Sequence, residues 1–229
     1  MQFTTELGPA YSICICRLEQ GEQVLAESSA MVSQDAHVQM QTSATQGKGM
    51  GGFLKALGRS MFTGETFFRN TFTAAQAPGE VSFAPKLPGD IAVYELQPGR
   101  DIIIQQTSFL ASAPTVEIET KWGGFKSMFS GEGSFWMRGY GQGPIALTAF
   151  GGIQVVDVDG AFILDTGHIV AFESSLDYQI KRVGSWFSTF FSSEGLVCRF
   201  HGKGKLFMQT RNPSEFGKLV GGKLPPRSN

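Results

Sequence analysis

The side chains suited to chemistry are few in this 229-residue chain, and they are scattered. Its histidines are His37, His168 and His201, none with a second histidine nearby. A metal held on a β wall needs a His-x-His pair on one strand face with a further carboxylate and histidine, so no metal site is expected. The cysteines are Cys14, Cys16 and Cys198. Cys14 and Cys16 lie two positions apart, which on a strand turns both to one face. With no partner pair to complete four ligands, they read as small buried hydrophobes. Cys198, between Val197 and Arg199 in an apparent strand, reads as a structural thiol. No Gly-x-Ser-x-Gly elbow is present, because Met50-Gly51-Gly52-Phe53 and Trp122-Gly123-Gly124-Phe125 lack the serine. Gly47-Lys48-Gly49-Met50-Gly51-Gly52 is not closed by Gly-Lys-Ser/Thr and fails as a phosphate loop. It is an anion nest of backbone N–H groups or a surface insertion. No catalytic residue and no cofactor is expected, and the chain reads as a non-enzyme.

Three carboxylates stand apart because their surroundings recur. Met61-Phe62-Thr63-Gly64-Glu65 is echoed by Met128-Phe129-Ser130-Gly131-Glu132 and by Phe190-Phe191-Ser192-Ser193-Glu194. The glutamates are 67 and then 62 positions apart. Alternating apolar stretches precede each block: Val38-Gln39-Met40, Val116-Glu117-Ile118 and Tyr178-Gln179-Ile180. From Met40 to Glu65 the chain uses 11 residues more than the other two copies do over the same connection, which places an insertion at about 43–60. Two roles fit Glu65, Glu132 and Glu194, with Gly64 and Gly131 beside the first two. Each carboxylate accepts backbone N–H bonds across its own loop, or the three collect a cation or basic ligand. A reaction centre draws unlike residues to one point, whereas this chain spreads like residues over three.

The elements that must position these loops are strands. Asp101–Thr107, Ile145–Phe150, Ile153–Val158, Ala161–Leu164 and His168–Phe172 are short, β-branched or aromatic, and bounded by Gly, Pro or Asp. Asp159-Gly160 has the residues of a type I′ hairpin turn between two of them. Leu96-Gln97-Pro98-Gly99 and Leu164-Asp165-Thr166-Gly167 read as turns at equivalent places in successive copies. The expected organisation is three copies of one β unit, 1–96, 97–158 and 159–211, with a tail at 212–229. Helix is expected only at Phe53–Phe62, where Phe53, Leu54, Leu57 and Met61 would form an apolar stripe with Lys55 and Arg59 turned away. That stripe meets a subunit or partner, or packs on its own repeat.

Composition limits the partners. The 19 basic and 20 acidic residues give a net charge of −1, which removes the electrostatic drive for DNA or an anionic membrane. With 41% hydrophobic residues and 20 Phe, the chain can fill a core. No apolar run is long enough for a transmembrane helix. Sparse, odd-numbered cysteines and the lack of a basic-then-apolar leader at the start lead to the expectation of a cytoplasmic protein. The tail reads NPSEFGKLVGGKLPPRSN, and its Pro and Gly content predicts an irregular arm. It is disordered or docks Phe216, Leu219 and Val220 on a neighbouring subunit.

The three Phe-x-x-Glu blocks, followed by a strand and a Gly-x-Gly turn and ending in SSEGLVCRFHGKGKLFMQTRNP, resemble the altered-inheritance-of-mitochondria family. Gly52-Phe53-Leu54-Lys55-Ala56, Trp122-Gly123-Gly124-Phe125 and Gln209-Thr210-Arg211 add to the resemblance, which runs from about Met31 to Pro213. This chain departs from the pattern at Thr66 and Ser193, where Gly is expected. The resemblance implies a fold similar to that of the tryptophan RNA-binding attenuation protein, a short double-stranded β-helix, and no established activity. The expected architecture is therefore all-β, with three tandem β-sandwich-like repeats of that type. In the related fold, units join edge to edge into rings, so a homo-oligomer is expected, a trimer foremost. The function expected is a non-enzymatic self-assembling scaffold. The alternative is a small-ligand or RNA-binding module using the inter-strand loops, though without a basic face RNA is disfavoured.

Overall fold

The computed structural model describes residues 1–44, 68–119, 136–182 and 196–224. It opens with β1 (Gln2–Glu6), β2 (Ile13–Leu18), β3 (Gln23–Glu27), β4 (Met31–Gln34) and β5 (Gln39–Ala44). Next come β6 (Phe68–Thr73), β7 (Gly79–Phe83), β8 (Ile91–Leu96), β9 (Ile102–Gln105), β10 (Phe109–Ser112) and β11 (Val116–Glu119). β12 (Trp136–Gly141), β13 (Gly143–Thr148), β14 (Ile153–Asp165), β15 (Ile169–Glu173), β16 (Leu176–Arg182) and β17 (Leu196–Gln209) complete the strands of the described residues, and helix α1 (Pro213–Gly221) follows them. The protein is predominantly all-β and has three sheets. Their orders are β1-β2-β7-β4, β5-β6-β3-β10-β13-β8 and β11-β12-β9-β15-β17-β14, with β16 also on β17.

Alternation along the strands decides which face is buried. In β2, Cys14, Cys16 and Leu18 turn inward, while Arg17 faces solvent. One core joins them to Val24, Phe72, Val81 and Phe83. A second core takes Leu96, Phe109 and Leu147 from the six-stranded sheet and Ile102, Met137 and Phe207 from the seven-stranded one. The third core lies wholly within residues of the seven-stranded sheet and centres on Phe172. The Phe172 ring meets Phe200 at 5.1 Å, Tyr178 at 5.6 Å and Trp136 at 6.0 Å between centroids, all steeply inclined. Such pairs contribute about 0.5–1.5 kcal/mol each beyond burial.

One pairing scheme recurs along the chain. β2 pairs with β7, β8 with β13, and the first half of β14 with the second half of β17. β3 pairs with β6, β9 with β12, and the second half of β14 with the first half of β17. β4, β10 and β15 then lie on β7, β13 and β17, each with a register shift one residue into the strand: Met31/Ser33, Phe109/Ala111 and Ile169/Ala171.

Three expectations are corrected by the structure. Asp159-Gly160 is not a hairpin turn, because β14 runs unbroken through it and pairs with β17 from Ile153↔Gln209 to Asp165↔Val197. Gly160 (φ +106°) faces Gly202 (φ +119°), so the two left-handed residues bend a continuous ribbon rather than end it. The turns read at 96–99 and 164–167 are not equivalent. The first, closed by Arg100 N–H on the Gln97 carbonyl at 3.0 Å, joins β8 to β9. The second follows β14 as a 3-10 turn, Thr166–His168, and matches Gln106–Ser108 after β9. The tail is not irregular at its start, since Pro213–Gly221 is helical. Asn212 Oδ1 accepts from the N–H groups of Ser214 (3.0 Å) and Glu215 (3.3 Å), and Pro213 begins the helix where no N–H is needed.

Candidate functional site

The residues singled out in the sequence, Glu65, Glu132, Glu194, Gly64, Gly131, Phe53, Leu54, Leu57 and Met61, lie outside the described residues. What is described is where their segments leave the sheets. Ala44↔Phe68 closes the β5–β6 pair, Glu119↔Arg138 is the last pair of β11–β12, and Arg182↔Leu196 closes β16–β17. All three connections therefore depart from the same end of an antiparallel pair.

The histidines are kept apart. His37 Nε2 lies 2.9 Å from the Pro78 carbonyl, and His168 Nδ1 lies 2.7 Å from the Gln209 carbonyl. His201 is exposed on β17 opposite Ala161 and Asp177. Among the described residues, no three His, Cys, Asp or Glu side chains gather where a metal could sit. Cys14, Cys16 and Cys198 are free and buried, and burial pushes each thiol up to about 12. A thiol so placed stays protonated and inert at neutral pH.

Two of the clefts among the described residues are several hundred Å³ in volume. The first, about 740 Å³, is lined by both charges, including Arg100, Asp101, Asp157, Glu173, Lys203 and Lys205. Its charges are largely spent on one another. Lys205 Nζ donates to Asp157 Oδ1 at 2.6 Å, and Arg138 donates twice to Asp101 Oδ2, at 2.6 and 2.9 Å. Glu173, the buried member, accepts from the Tyr94 hydroxyl at 2.6 Å and from the Lys205 N–H at 2.9 Å. Burial, and then this hydrogen bond, push the Tyr94 phenol well above its usual range. A carboxylate satisfied from two sides holds strands β8, β15 and β17 together.

The second cleft, about 830 Å³, lies beside α1 and is apolar and aromatic, with Tyr11, Phe150, His168, Arg211, Phe216 and Leu219 on its walls. Phe216 packs edge-on to Phe150 at 5.1 Å, so the helix docks on its own chain. The loop beneath is fixed by Gln209, whose Oε1 accepts from Phe150 N–H (2.9 Å) and whose Nε2 donates to the Gly167 carbonyl (3.0 Å).

The third feature escapes a reading by motifs. β4 is bonded on one side only, by β7, and the second half of β14 on one side only, by β17, among the described residues. Each open edge presents apolar side chains, Met31 (37% exposed) and Val32 (55%) on β4 and Ile163 (63%) on β14. Unpaired N–H and C=O groups beside exposed branched aliphatics form a template for a further strand.

Residues 3–211 match the model of the family described as mitochondrial biogenesis AIM24. A protein of Streptococcus pyogenes serotype M6, described as uncharacterized, is 29% identical over 233 residues, covering 100% of this chain and 93% of that protein. The crystal structure of a protein from Streptococcus pyogenes superposes with a TM-score of 0.78 at 27% identity, covering 97% of this chain and 99% of that one.

Proposed function

The chain belongs to the mitochondrial biogenesis AIM24 family, and on that premise we propose that it is a non-enzymatic β scaffold that assembles with copies of itself. The observation that carries this reading is the open, apolar edges that β4 and β14 present among the described residues. An edge of this kind is a liability unless it is blunted by charge or proline, or covered. Met31, Val32 and Ile163 do neither, which favours a cover. The clefts support the same reading from the other side, because Glu173, Asp157 and His168 on their walls are engaged in structural hydrogen bonds. In this reading the chain is three β units, 1–96, 97–158 and 159–211, of the short double-stranded β-helix type. Its tail at 212–229 is an appendage, and the trimer is the assembly that closes with fewest chains. A cytoplasmic setting belongs to the same reading, resting on three free, buried thiols.

Sedimentation velocity across the micromolar range tests it. Species at multiples of 24.8 kDa are expected, and a lone monomer at every concentration would end the scaffold reading. A second reading is favoured by the cleft beside α1, whose aromatic walls and Arg211 suit a small aromatic or acidic ligand. A metabolite panel that raises the melting temperature, with the rise abolished by Phe216→Ala, would support it.

A further inference from the structure

The cleft beside α1 draws on three distant stretches of the chain, and each brings an aromatic ring held from behind. Tyr11 stands next to Ser12, whose N–H donates to the Gly89 carbonyl at 3.0 Å and whose hydroxyl donates to Asp90 Oδ1 at 2.8 Å. Phe150 comes from the loop that Gln209 fixes, and Phe216 from α1. The rings are placed but not covered. Tyr11 is 74% exposed, Phe216 44%, and Leu219 on the same wall 66%. Apolar side chains gathered in water around a concave volume of about 830 Å³ suit a small organic molecule.

The polar groups on these walls differ in what they have left to give. Asn212 Oδ1 is spent on the cap of α1. Thr210 Oγ1 accepts from the Gly152 N–H at 2.9 Å and keeps its own proton to donate. A carbonyl cannot donate, so the bond of 2.7 Å between His168 and the Gln209 carbonyl puts the proton on Nδ1 and leaves Nε2 over. Glu215 lies in the first turn of α1, where the amino end of the helix offsets its charge. The Arg211 guanidinium makes no hydrogen bond or ion pair with a described residue, although its backbone N–H donates to the Phe150 carbonyl at 3.2 Å. Its stem lies across Gly151 (φ +75°), where a Cβ would come within 2.9 Å of Arg211 Cγ. The cleft thus carries a free cation on a packed stem beside three rings.

We propose that this cleft binds an aromatic carboxylate, with its ring against Tyr11, Phe150 and Phe216 and its carboxylate on the Arg211 guanidinium. This rests on the second reading above and names the class of ligand within it. A guanidinium fork meets a carboxylate through two parallel N–H···O bonds, a match that a neutral amide lacks. Aromatic walls favour a flat ring over an aliphatic one, because ring pairs add to the gain from burial alone. Thr210 and His168 Nε2 are left to meet a hydroxyl on that ring.

Matched probes separate the charge from the ring. Naphthoate and its neutral isostere naphthamide share one flat ring system, and cyclohexanecarboxylate keeps the charge without the aromatic face. In calorimetric titration of the native full chain, naphthoate is expected to bind about tenfold tighter than either of the others, the step that one charge-assisted hydrogen bond supplies. Arg211→Gln is expected to abolish the preference for naphthoate over naphthamide while naphthamide binds as before. Phe216→Ala is expected to weaken both. Arg211 is exposed, so its substitution is expected to leave the melting temperature of the unliganded chain unchanged, which separates lost binding from lost folding. Naphthamide or cyclohexanecarboxylate bound as tightly as naphthoate would overturn the proposal and leave the second reading standing. So would naphthoate binding that survives Arg211→Gln, or a melting-temperature rise from the wider metabolite panel with all three probes silent. Silence from the probes and the panel together would remove both.

Discussion

Ile103 lies where β9 pairs with β15 within the chain, and Ile163, its counterpart by the matching pairs β9–β12 and β14–β17, lies at an open edge, so one substitution at each separates folding from assembly. Ile103 is 1% exposed in a packed core. Truncation to Ala removes the branched methyl groups and leaves a cavity, at a cost of about 2–5 kcal/mol. For a chain of this size each kcal/mol lowers the melting temperature by about 2–4 °C, so Ile103→Ala falls by roughly 4–20 °C. Ile163 is 63% exposed in the single chain, and at high dilution Ile163→Ala should move stability by at most about 0.5 kcal/mol. In the proposed assembly the same side chain would be covered. Burying an isoleucine contributes about 1.5–3 kcal/mol, and covering the exposed part of this one about 1–2. That weakens the joint by about 5–30-fold in dissociation constant. Thermal melts at nanomolar and high micromolar concentration, with sedimentation on the same samples, read both effects. An Ile163→Ala protein that melts as early as Ile103→Ala at high dilution would refute the reasoning, as would one whose assembly is unchanged.

Three further outcomes follow from side chains already placed. The thiols of Cys14, Cys16 and Cys198 have folded values of about 12, above their ordinary value. Their contribution to stability is therefore complete below about pH 9 and lost as pH rises towards 12, by up to about 1.4 kcal/mol per thiol per pH unit. The triple Cys→Ala variant should lose that alkaline slope, and a thiol reagent at pH 8 should label the native protein slowly and the unfolded protein fully. Tyr94→Phe takes from buried Glu173 the donor at 2.6 Å, and a loss of about 1.5–3 kcal/mol is expected in urea titration, with m unchanged. Asn212→Ala removes the cap of α1 and should cost that helix about 1 kcal/mol, seen as faster amide exchange over 213–221 with the sheets unaffected.

Particular residues show what the sequence made legible. Strand content, and the inward face of Cys14 and Cys16, followed from alternation, which depends only on neighbours in the chain. The hairpin read at Asp159-Gly160 failed because glycine at positive φ serves a turn and a bend equally well. What decides between them is Gly202 across the ladder, a partner 42 positions away. Helix α1 is missed when Pro213, Pro225, Pro226 and the Gly221-Gly222 pair are read as breakers. Asn212 followed by Pro213, then Phe216, Leu219 and Val220, was the start signal and the apolar face. Among the candidate site residues, the Gly-Glu blocks stood out through repetition, and they lie outside the described residues. The open edges were illegible for a different reason. Val32 and Ile163 are ordinary strand residues, and only their one-sided pairing makes them unusual.

Hydrogen exchange at the two edges tests the account most directly, because it reads the backbone N–H groups that the joint between copies would engage. At micromolar concentration, amides in 31–34 and 161–165 should be protected to the degree of those in 109–112 and 102–105, and should lose that protection on dilution while the internal joints keep theirs. Fast exchange at both edges, unchanged with concentration while the internal strands stay protected, would contradict it.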